Sequence, residues 1–407
     1  MTAVGPTADP LTFPIRRTCP AALPEAYERE RPKGISTVRL PTGQTAWIVL
    51  SQAYARAVLA DSRFSADKLR PDFPKLSAKG LDKLKYFAPF IVNLDGRDHI
   101  DVRRSLTAEF SGGRVAQLRP RLEAVTERLV TEIGRDPGRP IDLVARLAYP
   151  AAWAFQEVLL GLPVAELSRI RRHTEDLLIR TTSEAEEIEA ARVLHEHLAG
   201  VLRAKEDDLG DDLVSRQILR HRAEKGRVDH FELASLVQLL TVGGHNSVAT
   251  MVSLGVLALL THRDQLAVLL AEPDRWPIAV EELLRFYSVN DATPLRLATA
   301  DVQLGDTVIR AGDGVAIPLL PPNRDPAVCP DPNALDLLRA RSPRHIAFGH
   351  GAHRCLGYSL APVELEVVYR ELFAQLPGLR LAVAEDELSF RYHSPQAFGP
   401  VELPVSW

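Results

Sequence analysis

The stretch from Asp229 to His262 constrains the fold more than any other part of the chain. It contains Val248-Ala-Thr-Met-Val-Ser-Leu-Gly-Val-Leu-Ala-Leu-Leu260, and a helix that is apolar on every side is buried on every side. The run is shorter than the roughly 20 apolar residues of a typical membrane crossing and includes hydroxyl groups. The reading is a long central helix around which a soluble core is built. Asp229 followed by Glu232 predicts a capping box at its start.

Helical periodicity recurs over Asp101–Phe110, Gly113–Ile133, Leu143–Leu160, Pro163–Ile179, Ser183–Ala204, Trp276–Tyr287 and Leu356–Leu376, with a short helix from Leu23 to Arg31. Strand signals are few. Ser36–Leu40 and Ala46–Leu50, joined through Pro41-Thr-Gly-Gln, read as a hairpin, and Arg296–Ile309 alternates around Leu304-Gly-Asp. The expected class is mainly α with small β regions. No repeat or low-complexity linker cuts the chain, so residues 1–407 are expected to form a single domain. Pro71–Asp98 is longer than a passive connection and carries Phe73, Tyr86, Phe87 and Phe90, as a segment closing over a ligand would.

A charged fraction of 25% with a formal net charge of -4 gives no reason to expect a nucleic-acid partner. The amino-terminal residues show no basic-then-apolar leader, so the expected compartment is the cytoplasm, with no membrane partner. Cys19, Cys329 and Cys355 are odd in number and widely separated, which leaves at least one free thiol.

Phe348-Gly-His-Gly-Ala-His-Arg-Cys-Leu-Gly357 places Cys355 between a glycine-containing loop and an apolar helix. Helix-start amides and neighbouring cations there are expected to lower the thiol pKa and suit it to a metal. Locally, a buried core cysteine explains the pattern equally well. Zinc is a rival ligand, because His345, His350 and His353 crowd the same loop, but their spacing does not match structural zinc pairs.

Phe348, Gly351, Cys355 and Gly357 fit Phe-x-x-Gly-x-x-x-Cys-x-Gly, and Glu282-Leu-Leu-Arg285 lies upstream as a Glu-x-x-Arg pair. In these motifs and in segment order from about Phe13 to Trp407, the chain resembles the cytochrome P450 family. The resemblance implies a P450-like fold with a long central helix over haem b, the whole chain forming one haem-thiolate catalytic domain. Cys355 is then the axial thiolate and metal ligand, a ligand type that favours oxygen–oxygen cleavage. Phe348 shields it, Gly351 and Gly357 permit close approach, and Glu282 and Arg285 lock the surrounding loop.

The resemblance also implies that the haem propionates are held by His99, Arg103, Arg296 and His353. His99 and Arg103, one helical turn apart, can point at the same anion. On the opposite haem face, Gly243 and Gly244 remove bulk from the central helix, with Gly244, Asn246 and Ser247 as the catalytic candidates. Relatives typically carry an acid and a threonine where this chain has Asn246 and Ser247. Asn246 is no carboxylic acid, so protons have to come through Ser247 with water, another group or the substrate. His245 reads as a packing histidine, and Pro362 stands where many relatives carry arginine.

The implied activity is monooxygenation of a small or medium organic substrate with dioxygen, in natural-product biosynthesis. Electrons would come from ferredoxin and ferredoxin reductase, docking on basic residues drawn from Arg103, Arg104, Arg114, Arg344 and Arg354. Phe73-Pro-Lys-Leu-Ser77 and Pro294-Leu-Arg296 look similar to the fungal nitric oxide reductase branch, so nitric oxide reduction or nitrene-type nitrogen transfer is the enzymatic alternative. A haem sensor or binding protein is the non-enzymatic one. Candidate substrate contacts are Phe87, Phe90, Leu177, Ile179, Val242, Val248, Asn290, Ala292, Thr293, Leu295 and Phe398, with an apolar bias suited to an organic ligand.

Overall fold

A computed structural model describes residues 11–76, 83, 90–177, 183–290, 294–341, 344–392 and 397–407. In chain order the helices are α1 (Glu25–Glu30), α2 (Gln52–Ala60), α3 (Gly96–Thr107), α4 (Gly112–Arg135), α5 (Tyr149–Leu160), α6 (Val164–Glu175) and α7 (Glu184–Asp207). They continue with α8 (Leu213–Lys225), α9 (His230–Thr261), α10 (Arg263–Ala271), α11 (Trp276–Tyr287), α12 (Leu320–Asn323) and α13 (Ala361–Gln375).

The central helix forms as its composition requires. From Val248 to Leu260 every residue of α9 is buried, against core side chains of α4, α5, α11 and α13. Two of its buried hydroxyls are satisfied inside the helix, Thr241 donating to the Val237 carbonyl and Ser253 to the Ala249 carbonyl, each at 2.8 Å. Asp229 accepts from the Glu232 amide at 3.1 Å, but Glu232 turns its carboxylate to Lys225. Only half of the predicted capping box forms. The reciprocal box is found at α7 instead, between Ser183 and Glu186.

Four helices escape the periodicity argument, the four-residue α12 among them. α2 is a single short amphipathic stretch, α8 interrupts its apolar spacing with arginine and histidine, and α10 follows α9 after His262 alone. α3 begins at Gly96, so the end of the segment taken as irregular is already helical.

The hairpin pairs Ile35–Arg39 with Thr45–Val49 antiparallel, Ile35 opposite Val49 and Arg39 opposite Thr45. It belongs to a six-stranded sheet in the order Leu11–Thr12, Ile35–Arg39, Thr45–Val49, Gly314–Ala316, Leu295–Ala298, Phe64–Ser65. Side chains alternate across a strand. Leu295 and Leu297 enter the sheet's own core cluster, which turns Arg296 to the other face.

α9 satisfies the length and hydropathy of a membrane crossing, but 72% of its most apolar stretch is buried inside the protein. It is the core helix the sequence pattern required.

Candidate active site

The Cys355 loop is held by its own backbone. The Cys355 amide donates to the Phe348 carbonyl at 2.9 Å, and Gly349 donates to Ile346 at 2.8 Å. Gly351 has φ 71°, and a Cβ there would lie 2.2 Å from the Leu59 carbonyl oxygen, so only glycine fits. Gly357 is less constrained, since a Cβ there meets nothing nearer than Cys355 Sγ at 3.9 Å.

Cys355 is open to a cavity of about 330 Å³, a volume within the range of small-molecule sites. Burial pushes the thiol pKa up, outweighing the Gly357 amide, Arg103 and Arg354, which pull it down. This corrects the expectation of a lowered pKa: in the protein alone, desolvation of a thiolate wins over local dipoles. All three cysteines are free. Among the described residues no group of three His, Cys, Asp or Glu side chains could hold a metal, and His345 is engaged by Glu281 at 2.6 Å.

Three of the four predicted cations line this cavity. His99, Arg103 and His353 line it, and the His99 and His353 rings lie 4.1 Å apart. Arg296, 8% exposed, approaches from the sheet. Burial, then His353 and Arg103, bring the His99 pKa down to about 4, and burial takes Arg296 down to about 10. Asp95 is the one carboxylate facing this group: His353, 3.8 Å away, together with the Ser65 hydroxyl and the Ala66 amide holds it well below the usual range. The wall therefore carries excess positive charge, and His99 Nε2 is buried without a hydrogen-bond partner. A flat cofactor bearing two carboxylates fits, with an iron facing Cys355.

Glu282 and Arg285 form a buried ion pair beneath the loop. Two 2.7 Å bonds join them at 0% and 1% side-chain exposure. Arg285 also donates to the carbonyls of Asn323, Pro332 and Ala334, while Glu282 accepts from Arg339 and the Asp336 amide. Every charge-bearing atom is used to fix the chain that leads into the cysteine loop.

On the opposite side, α9 presents Leu239, Leu240, Gly243, Gly244, Ser247, Val248 and Met251 as one stripe. Ser247 donates to the Gly243 carbonyl at 3.0 Å. Gly243 has open space where a Cβ would be. At Gly244 a Cβ would lie 1.9 Å from Gln156 Nε2, so that glycine is needed for α5 to pack. Asn246 falls outside the stripe, its Oδ1 3.3 Å from His245 Nδ1. His245 is a packing residue: 1% exposed, 3.8 Å from the Trp153 ring, beside Arg171 at 3.1 Å, and brought down to about 3 by burial and Arg171.

Of the substrate candidates, Val248 and Asn290 line the cavity. Phe90 lines a neighbouring cavity between α3, α8 and α9. Leu177 is fully buried in the main core. Val242 lies off the α9 stripe and is exposed. Strand alternation places Leu295 in the sheet core. Phe398 packs on Tyr392 and under Arg17. These four are corrections to the predicted substrate wall. Phe87, Ile179, Ala292 and Thr293 lie outside the described residues. Sequence reasoning missed Ile91, Val289, Pro294, Gln156 and Glu364 on the cavity wall. The missed α9 residues, Leu239 and Met251, were within reach, four residues either side of Gly243 and Ser247.

A cavity-facing thiol opposite a small-residue helix, with a cationic wall between them, defines a haem-thiolate oxidoreductase. The Cytochrome P450 family model matches residues 277–375. Pentalenic acid synthase of Streptomyces avermitilis is 38% identical over 98% of both chains. Cytochrome P450 MoxA from Nonomuraea recticatena superposes with a TM-score of 0.88 at 42% identity, covering 98% of both chains. The mycinamicin VIII methyl hydroxylase MycCI from Micromonospora griseorubida gives 0.88 at 34% identity, over 98% of this chain and all of its own. The chain belongs to the cytochrome P450 family, with the P450 fold, a haem cofactor and a cysteine thiolate ligand. It is a monooxygenase-class oxidoreductase acting on a small organic molecule.

Proposed function

We propose that this enzyme inserts oxygen into an apolar small or medium molecule in a cytoplasmic natural-product pathway, with the whole chain acting as one catalytic domain. The observation that carries the reading is the convergence of Cys355, the His99–Arg103–His353 wall and Ser247 on one cavity. Haem, when bound, supplies the dioxygen chemistry and the oxidising power. Cys355 would hold its iron, and His99, Arg103, Arg296 and His353 its acid groups.

The chain's own contribution is to position the substrate and manage water and protons. Ile91, Leu239, Val289 and Pro294 present apolar surface, and Asn290 supplies a hydrogen-bonding group among them. The wall therefore favours a largely hydrocarbon skeleton carrying one polar substituent, in keeping with relatives named for pentalenic acid and mycinamicin VIII.

Electrons are proposed to come from ferredoxin and ferredoxin reductase. Arg103 faces the cavity, and Arg114 is buried against Asp211 at 2.9 Å, so neither belongs to a docking face. Arg354 lines the same cavity as Arg103, which leaves the exposed Arg104 and Arg344 as its basic candidates. Product mass analysis with heavy-isotope dioxygen tests the function: label in the product supports it. Consumption of nitric oxide by direct reduction, or a haem spectrum with no turnover of any substrate, would replace it with a reductase or a sensor.

A further inference from the structure

A second cavity, of about 180 Å³, lies between α3, α8 and the first half of α9. Ile91 and Leu239 line both this cavity and the one to which Cys355 opens, so the two are neighbouring compartments divided by these side chains. Leu239 is half-buried and stands outside the main core cluster, on which its neighbours Leu236 and Leu240 pack. With space on both sides, it can turn aside without disturbing the core.

The second compartment is apolar on its inner wall and charged at its outer end. Phe90, Leu233 and Leu236 continue the hydrocarbon surface of the first. Among the described residues at the outer end, three carboxylates, Asp101, Glu224 and Glu232, stand against two cations, Arg220 and Lys225. Glu224 binds Arg220 at 2.8 Å, and Glu232 binds Lys225. That leaves Asp101, which lies 3.5 Å from Arg97 and from Arg104 on its own helix, both of them largely exposed. His221, 6% exposed, adds no charge at neutral pH: burial holds its pKa below 6.5, and its Nδ1 accepts from the Asp229 amide at 3.3 Å. The lining therefore holds one carboxylate more than it holds cations. An anionic end behind an apolar passage favours an amphipathic cation, whose stem stays on hydrocarbon while its charge meets a carboxylate.

We propose that the second compartment takes a basic arm of the substrate. The skeleton to be oxidised lies in the first cavity, an aliphatic stem passes between Ile91 and Leu239, and a protonated amine at its end is bound by Asp101, with Glu224 and Glu232 alongside. Anchored at that end, the arm also sets how far the skeleton reaches into the first cavity, and so which carbon is presented for oxidation. This names the substrate class of the cavity assigned above to oxygen insertion and rests on that reading.

Binding to the haem-loaded enzyme tests the arm site without turnover. N-alkylimidazoles anchor at the iron and shift the haem absorption band, so a tail of chosen length and tip probes the second compartment. Of two long-chain probes of equal length, the amine-tipped one should bind at least about tenfold more tightly than the carboxylate-tipped one at low ionic strength. Asp101→Asn combined with Glu224→Gln, both at half-exposed positions, leaves the cations in excess and should reverse the preference. Leu236→Trp fills the second compartment without touching the first and should remove the preference, while N-butylimidazole binds within about twofold of the parent. Equal affinity for the two tips, tighter binding of the carboxylate tip, or a preference that survives either substitution overturns the proposal. If Leu236→Trp does not fold, the paired charge substitution decides alone. Should the parent enzyme put no label from dioxygen into any product, the functional reading fails, while the probe series still judges the compartment.

Discussion

The imidazole rings of His99 and His353 lie 4.1 Å apart, tilted by 43°, on the wall where Arg103 and Arg296 also converge. Two imidazoles so close to two guanidiniums cannot both be charged cheaply, and His99 is the one brought down to about 4 from an ordinary 6.5.

That shift sets a pH dependence. Between about 6.5 and 4 the unfolded chain binds a proton at residue 99 that the folded chain refuses, so stability falls as pH drops through this window and levels below it. His245, brought down to about 3, adds to the same trend. Urea midpoints of the haem-free protein should decline across the window, and His99→Gln should flatten the curve. Loading haem should flatten it too, because its acid groups favour the protonated imidazole.

Glu282→Ala should cost about 3–5 kcal/mol in denaturant unfolding, because it leaves the Arg285 charge buried and unpaired. Glu189→Ala removes one end of an exposed pair with Arg192 and should leave the unfolding midpoint nearly unchanged. Equal effects would contradict the role given to the buried pair.

Glycine positions near the site should separate by mechanism. Gly351→Ala places a Cβ against the Leu59 carbonyl at positive φ and should destabilise by about 1–3 kcal/mol, with loss of bound haem. Gly244→Ala collides with Gln156, so Gln156→Ala should recover most of its loss in a double-mutant cycle. Additive losses would place the cause elsewhere.

The iron-binding side of the site was legible because its residues sit in tight local patterns: Phe348 to Gly357, Glu282 with Arg285, His99 with Arg103. Backbone geometry and ion pairing force those spacings, so sequence shows them directly. The substrate wall was not, because it joins distant segments whose apolar residues serve core and cavity equally well. Leu177, Leu295 and Phe398 turned out to be core. Helix phase separates Val242 from Val248 along α9, and that much could have been read. Gln156 and Glu364 were hidden because a lone polar residue on an apolar helix face acquires meaning only when another helix faces it. Short α2 and α10 carry too few turns for periodicity to declare them, and α8 breaks its apolar spacing with arginine and histidine.

The most direct measurement of the central claim is the absorption spectrum of the reduced, carbon monoxide-bound protein with and without the Cys355 sulfur. The parent chain should show the long-wavelength haem band that marks a thiolate opposite carbon monoxide, and Cys355→Ala should lose it together with activity. An unchanged thiolate band in Cys355→Ala would contradict the assignment of Cys355 as the iron ligand.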